Sequence, residues 1–373
     1  MVAMRIAYML TSLGIGGAEK QVVALAERMA VRGHLVLLVV LRERQTEQWQ
    51  TTLDVVHLKM RKAPGSVAAG LLRARRILRG FGQDILHSHT YPANMAARML
   101  RLSGAAPVVI STIHNVYEGG WPRMLAYRLT DSLSLRTTAV SEAAERRYVG
   151  MRAVSKLKCS VITNGIDLEE FAPDRERRAQ MRAALGAGDD FVWLSAGRNV
   201  PAKDFPNLMH AFAKVWPAFP KTQLWIAGER ASSGSERKHY SLLATPRGTL
   251  DRVRFLGLRR DMPAVFDAAD GFVLSSAWEG MPLVVGEAMA MERPVVATDV
   301  GGVRELAGED YELVPPQNAE RLAEGMLSVM RLSAEARATM GRSARKRIQA
   351  RFNIEDRARE WESFYRSLAG ASA

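Results

Sequence analysis

At 373 residues the chain is long for one hydrophobic core and comfortable for two domains. Its 47% apolar and 24% charged residues exclude a disordered chain; its one cysteine, Cys159, excludes an internal disulfide framework; and its longest early apolar run, Leu35 to Leu41, is far too short to span a bilayer. The net charge of +13 is uneven: residues 1–172 hold 23 Lys and Arg against 13 Asp and Glu and the remainder holds 29 against 26, so the first part suits an acidic neighbour better than the second.

The opening MVAMRIAYML has an arginine inside its apolar stretch and no small-residue cleavage pattern, which predicts a first strand, Arg5 to Thr11, and no signal peptide. A glycine-rich loop follows, Gly14-Ile-Gly16-Gly17-Ala-Glu19. Glycine lets a backbone approach a ligand closely, and the helix predicted from Ala18 to Arg32 would offer its N-terminus to an anion. Glu19 stands where the dinucleotide fingerprint G-x-G-x-x-G requires glycine or alanine, which argues against NAD. Leu35 to Leu41 reads as a buried strand, and Val55 to Leu58, Asp84 to His87, Val108 to Thr112 and Thr137 to Val140 as short strands with helical stretches between them. That alternation predicts a parallel, doubly wound sheet.

Two features of this half invite function. A helix predicted from Ser66 to Arg79 sets Arg73, Arg75, Arg76 and Arg79 beside Val67, Leu71, Leu72, Ile77 and Leu78, just after Lys59, Arg61 and Lys62, with Trp121 and Arg123 further on. A basic helix with an apolar face suits an anionic membrane surface, and equally a helix packed on its own sheet. His87 and His89 would share one face of a strand, but no third ligand stands at a metal-binding spacing, so zinc is not expected. His114 follows a strand, where residues lining a site fall.

Cys159 to Thr163 is the next strand, and the domain boundary is placed after it, near Pro173. The expected division is 1–172, 173–352 and a terminal segment 353–373, in which Ile354 to Leu368 reads as an amphipathic helix. The second half repeats the alternation at Phe191 to Ala196, Gln223 to Ala227, Arg252 to Leu256, Gly271 to Leu274 and Pro294 to Thr298. Arg198 and Lys203 lie across a proline loop at the carboxyl end of one strand, the edge at which open α/β sheets bind ligands, so both can converge on one diphosphate. The last strand pair brackets SSAWEGMPLVVGEAMAMERPVVATDVGGVREL. Here a helix apolar on nearly every side starts near Pro282 and is interrupted by one carboxylate, Glu287, with Glu279 in the loop before it. A buried carboxylate needs partners, and the free N–H groups at the helix start suit a phosphate.

Glu279-x7-Glu287, followed by PVVATDVGGVREL, resembles the nucleotide-sugar signature of the retaining family-four (group 1) glycosyltransferases. The resemblance covers nearly the whole chain and is strongest from Arg198 to Leu306. It implies the GT-B fold, an α/β architecture of two Rossmann-like doubly wound domains facing a central cleft, with the terminal helix returning to the first. It implies that Gly16 and Gly17 lie over the donor phosphates, and that Arg198, Lys203 and the helix start at Gly280, Met281, Pro282 and Leu283 hold the diphosphate. The nucleobase would lie against the backbone around Arg254, Phe255 and Leu256. Glu287 would hold the ribose, Glu279 would orient the sugar, and His114 would stand by the donor sugar or acceptor. Met281 and Pro282 depart from the phenylalanine and glycine of many relatives, which leaves the donor sugar open.

The expected partners are a nucleotide sugar and a glycan or lipid-linked acceptor, with an anionic membrane surface through the first domain and a cytoplasmic, peripheral location. No cofactor and no metal are expected, because no Asp-x-Asp ends a strand and cations can do a metal's work at the diphosphate. A nucleotide-sugar epimerase shares the architecture, though the GGAE loop and the Glu279-x7-Glu287 pattern favour the transferase. A basic nucleic-acid binder would need stacking aromatics among its cations or a groove-entering helix, and neither is present, so nucleic acid is not expected.

Overall fold

The computed structural model describes residues 2–14, 16–43, 50–228, 249–309 and 311–369. The chain forms two compact units, Met1–Gly165 with Ile354–Ala373, and Ile166–Asn353.

In the first unit the elements run β1 (Arg5–Leu10), α1 (Gly17–Val31), β2 (Leu35–Val40), β3 (Asp54–His57), α2 (Pro64–Phe81), β4 (Ile85–His89), α3 (Tyr91–Leu102), β5 (Val109–Ile113), α4 (Trp121–Leu129), β6 (Arg136–Ala139), α5 (Glu142–Gly150) and β7 (Cys159–Val161). The sheet has the order β3-β2-β1-β4-β5-β6-β7 and every described pair is parallel. Strand order therefore reverses between β1 and β4. Its strands are near-continuous apolar runs such as Leu35–Val40 because helices cover both faces.

The second unit runs α6 (Arg175–Ala184), β8 (Phe191–Ala196), α7 (Phe205–Ala218), β9 (Thr222–Ala227), β10 (Val253–Gly257), α8 (Met262–Ala268), β11 (Gly271–Leu274), α9 (Leu283–Ala290), β12 (Val295–Ala297), α10 (Val303–Ala307), α11 (Ala319–Arg331) and α12 (Ala334–Arg351). Its parallel sheet has the order β10-β9-β8-β11-β12, so the reversal falls between β8 and β11. The two doubly wound sheets match the expected fold class.

The division between units falls earlier than the expected 172/173. Pro173 ends a segment that already belongs to the second unit: Ile166 N donates to Phe352 O at 2.7 Å, Phe171 is buried against Phe266, and Arg345 donates to Phe171 O at 2.7 Å. Burial of Phe171, invisible to local composition, sets the boundary.

The last helix, α13 (Ile354–Ala369), packs in the first unit, where Ala358, Trp361, Tyr365 and Leu368 join the core formed by β1, α1 and β2. Charge fixes its register. Arg28 pairs with Glu355 at 2.6 Å, and Glu362 gathers Arg366 at 2.7 Å, Arg32 at 3.3 Å and His34 at 3.3 Å. The His34 ring accepts from Met4 N at 3.1 Å, so its other nitrogen faces Glu362 as a donor.

Helix α2 commits most of its apolar face to the sheet. Ala74 and Leu78 are buried with Leu71 and Ile77 half-buried beside them, which leaves Val67 and Leu72, the latter 64% exposed, beside Arg73 and Arg76. Among the described residues no helix is long and apolar enough to cross a membrane.

Replacing Glu362 with alanine should destabilise the first unit by about 1–3 kcal/mol in urea denaturation, the cost of leaving largely enclosed donors unpaired. Arg366 foremost holds the Glu362 carboxyl below its usual value. This stabilisation is therefore present above the unfolded carboxyl value and disappears as pH falls through the folded one, so wild type and variant should converge in acid. A difference that persists undiminished in acid would assign the effect to packing.

Candidate active site

In the second unit the reversal point places two loops side by side: Gly197 to Asp204 after β8, and Ser275 to Pro282 after β11. This is the crevice at which doubly wound sheets bind ligands. The loops are stitched together, with Ala277 N donating to Ala202 O at 2.8 Å and Ser275 Oγ to Lys203 O at 2.8 Å. Two of the expected residues meet here, and a third stands on the same loop. Lys203 Nζ lies 2.6 Å from Glu279 Oε1, and Arg198 stands exposed on the same loop, its side chain without a hydrogen-bond or ion-pair partner among the described residues. The lysine and the glutamate, read from the sequence as serving different parts of a ligand, are thus each other's partners.

Close backbone approach makes this geometry fit. A Cβ on Gly197 would stand 2.7 Å from Lys203 Cε, so glycine leaves the corridor through which the lysine reaches Glu279. Asp204, at φ 45°, is a non-glycine residue held in the left-handed region directly after the lysine, and its side chain accepts from Asn207 N at 3.4 Å to start α7. A Cβ on Gly301 would overlap the carbonyl of Glu279, and Gly302 N donates to Gly280 O at 2.6 Å. The glycine pair after β12 therefore supports the Glu279 loop from behind.

Glycine also ends the neighbouring strands. Gly197 N donates to Ala227 O and Gly228 N to Gly257 O, each at 2.9 Å, and a Cβ on Gly228 would overlap Gly197 O. The rim of the sheet is lined by bare backbone. This row was missed in the sequence, although its signal is present: three apolar runs each close on glycine, at Ala196-Gly197, Ala227-Gly228 and Leu256-Gly257.

Around Arg254 to Leu256 the β10–β9 ladder slips, pairing Phe255 with Ile226 and then Gly257 with Ala227, so Leu256 is passed over. The Arg254 guanidinium donates to Leu185 O and Phe255 packs against the core, which leaves the backbone as the feature of this edge that a ligand could read.

Helix α9 is buried on nearly every side, with Met281, Leu283 and Gly280 enclosed at its start and Glu287 6% exposed within it. Pro282 precedes the first helical residue as its N-cap, with φ −75°, one position earlier than expected. Gly286 shows why the helix sits so deep: a Cβ there would stand 2.7 Å from Ile166 Cδ1.

In the first unit Gly16 caps α1 and Gly17 begins it. Glu19 folds back so that a Cβ on Gly16 would be 2.5 Å from its Oε2, and Ser12 Oγ lies 3.5 Å from its Oε1. The carboxylate at this helix start is the chain's own.

The histidines lie near the reversal point of this sheet. His87 Nδ1 is 2.7 Å from Tyr365 Oη and its Nε2 is 2.6 Å from Thr112 Oγ1, while Tyr365 donates to Tyr8 at 3.2 Å. Both ring nitrogens of His87 are thus partnered inside the core. His89 Nδ1 meets His114 Nε2 at 3.0 Å. Beside them Thr90, at φ 69°, is a β-branched residue in the left-handed region, and its hydroxyl is 2.8 Å from that of Thr11 at the end of β1.

The whole chain superposes on HepE of Anabaena, solved with UDP-glucose, with a TM-score of 0.85 at 22% identity over 98% of this chain and 100% of that one. The two parallel α/β sheets have the GT-B fold. Residues 15–170 match the model of Glycosyltransferase Family 4 and residues 176–347 that of Glycosyl transferases group 1, and the chain belongs to this family. It is 25% identical over 313 residues, 79% of this chain and 78% of the other, to the UDP-Gal:alpha-D-GlcNAc-diphosphoundecaprenol alpha-1,3-galactosyltransferase of Escherichia coli. To the D-inositol 3-phosphate glycosyltransferase of Mycobacterium tuberculosis it is 28% identical over 320 residues, 81% of this chain and 65% of that one.

Burial pushes His87 and His89 well below the ordinary imidazole range and His114 down to about 4, so all three are neutral at pH 7. Folded values below the unfolded one mean that their contribution is complete above about pH 6.5 and is lost as pH falls toward the folded values, at about 1.4 kcal/mol per pH unit for each ring. Glu118, pushed up to about 7 by burial, opposes this trend because it keeps a proton that the unfolded chain releases. Urea denaturation of the first unit should show stability falling from pH 6.5 to 5. A flat profile would mean that the rings are solvated.

Proposed function

We propose that the chain is a retaining, metal-independent glycosyltransferase that moves a sugar from a nucleotide diphosphate sugar to a glycan or lipid-linked glycan in cell-surface polysaccharide or glycolipid assembly. The observation that carries this reading is the Lys203–Glu279 pair at the reversal point of the second sheet, on the loop that also carries the exposed Arg198 and next to the buried start of α9. Two cations and a helix N-terminus suit a diphosphate, and carboxylates suit sugar and ribose hydroxyls. In the proposed reaction the bond from the anomeric carbon to the diphosphate oxygen breaks and a bond to the acceptor oxygen forms on the same face. The acceptor proton passes to the leaving diphosphate, whose charge Arg198 and Lys203 take up. Glu287 holds the ribose, and the neutral His114 edge of the first unit serves the acceptor. The relatives that use UDP-galactose and a diphosphoundecaprenol acceptor, or that bind UDP-glucose, make uridine donors the first to test.

Donor hydrolysis and transfer should be measured with UDP-, GDP- and ADP-sugars. Arg198→Ala, Lys203→Ala and Glu287→Ala should each lower kcat/KM for the donor by about 1.5–3 kcal/mol, the range for charged hydrogen bonds, or roughly 10- to 150-fold. EDTA should change little. Activity abolished by EDTA and restored by magnesium or manganese would overturn the metal-independent part, and folded variants with unchanged kcat/KM would overturn the site.

We propose also that the first unit attaches reversibly to anionic membrane through Arg61, Lys62, Arg73 and Arg76, with Leu72 the exposed apolar residue among them. The contact is smaller than the sequence implied, since Lys59 pairs with Glu43 at 3.3 Å and Arg79 donates to Ser103 O at 3.0 Å. At about 1 kcal/mol per cation near the surface, binding would be weak and salt-sensitive. The protein should sediment with phosphatidylserine vesicles at low salt and not with phosphatidylcholine vesicles, and changing the four cations to glutamine should abolish it. Wild-type protein left in the supernatant would make a soluble acceptor the better reading.

A further inference from the structure

The two oxygens of Glu279 are used differently. Oε1 accepts from Lys203 Nζ at 2.6 Å and from Ser276 Oγ at 2.7 Å, while Oε2 has no hydrogen-bond partner among the described residues. The carboxylate is pinned on one side and open on the other. Ser276 is fully buried, and its own carbonyl accepts from Thr298 Oγ1 at 2.7 Å, so the pin is fastened to the end of β12. Lys203 likewise cannot drift, since its stem runs against Gly197 and its backbone carbonyl accepts from Ser275. The side chains of the pair are only 16% and 11% exposed, which weakens screening by water.

This arrangement has an electrostatic consequence for ligands of the proposed site. A lysine ammonium has three donors. Glu279 holds one of them and sets a full negative charge within ion-pair distance of the group that should meet the diphosphate. A nucleotide sugar has one negative charge on each phosphate, with its terminal phosphate esterified to the sugar. Once the sugar has left, the nucleoside diphosphate carries additional charge on that terminal phosphate near neutral pH. The sugar-bearing ligand can repay the repulsion with hydroxyl hydrogen bonds to the open Oε2, and the sugar-free ligand cannot.

We propose that Glu279, held by Ser276 and Lys203, selects the intact nucleotide sugar against the nucleoside diphosphate and so promotes product release. The inference rests on the nucleotide-sugar reading of the site and adds to it a specificity set by charge. Ser276 is a positioning residue in this arrangement, and Glu279 acts on both the sugar and the diphosphate of the donor.

The test is isothermal titration of wild type, Glu279→Gln and Glu279→Ala with UDP and UDP-glucose, GDP and GDP-mannose, and ADP and ADP-glucose, analysed for whichever pair wild type binds. Glutamine preserves shape and removes charge; alanine serves if the glutamine variant does not fold. Removing the charge should tighten the nucleoside diphosphate about three- to tenfold, the size of a partly screened charge interaction, and weaken the matching nucleotide sugar. Product inhibition in donor hydrolysis should strengthen in parallel. Opposite signs for the two ligands support the proposal. Two changes of the same sign, or no change for the nucleoside diphosphate, overturn it and leave the glycosyltransferase reading standing. Failure of wild type to bind any of the six overturns the nucleotide-sugar reading and this inference together.

Discussion

The Lys203–Glu279 ion pair joins two loops far apart in the chain, and only the reversal of strand order between β8 and β11 makes them neighbours. A parallel sheet wound in one direction covers the ends of its strands with the helices that follow. Where winding changes direction, the loops leave to opposite sides and a gap stays open. Much else in the second unit serves to keep that gap narrow and shaped. Gly197 yields space to the lysine, Gly301 to the glutamate loop, and the left-handed Asp204 turns the chain into α7 directly after the lysine. None of these residues would be required if the pair were an ordinary surface ion pair, whose net worth is at most about 1 kcal/mol.

The fold was legible because its signals are local. Buried parallel strands are short apolar runs, their helices carry apolar periodicity, and the two alternate in both halves of the chain. The boundary was less legible because it depends on where Phe171 is buried, a tertiary fact. Helix α2 shows the same limit. Its arginines and leucines suggest an amphipathic surface helix, but Leu78 and Ala74 face the sheet, and a one-dimensional pattern cannot say which apolar neighbour a helix has found.

The candidate site could be read as a set of residues and not as an arrangement. Glu287 stands out as a carboxylate inside an apolar helix, Glu279 by its spacing from it, and Arg198 and Lys203 by their place after a strand. The partner itself lies outside the reach of spacing: Lys203 finds Glu279 across the sheet, and Ser276, lost among small residues in the sequence, supplies the second hydrogen bond. Gly16 and Gly17 looked like an anion site, yet the nearest carboxylate, Glu19, already lies over Gly16. A glycine-rich turn before a helix has one sequence signature for two different occupants.

The two units use the same topological device with opposite electrostatics. Both sheets reverse once, and both set strained or glycine-rich backbone at the reversal, Thr90 in the first and Gly197 to Asp204 in the second. In the second unit the groups placed there are charged. In the first they are imidazoles kept neutral by burial, joined to hydroxyls of Thr112, Tyr365 and Tyr8. Burial of His87, His89 and His114 keeps the first reversal free of positive charge, and the same desolvation costs that unit stability in acid.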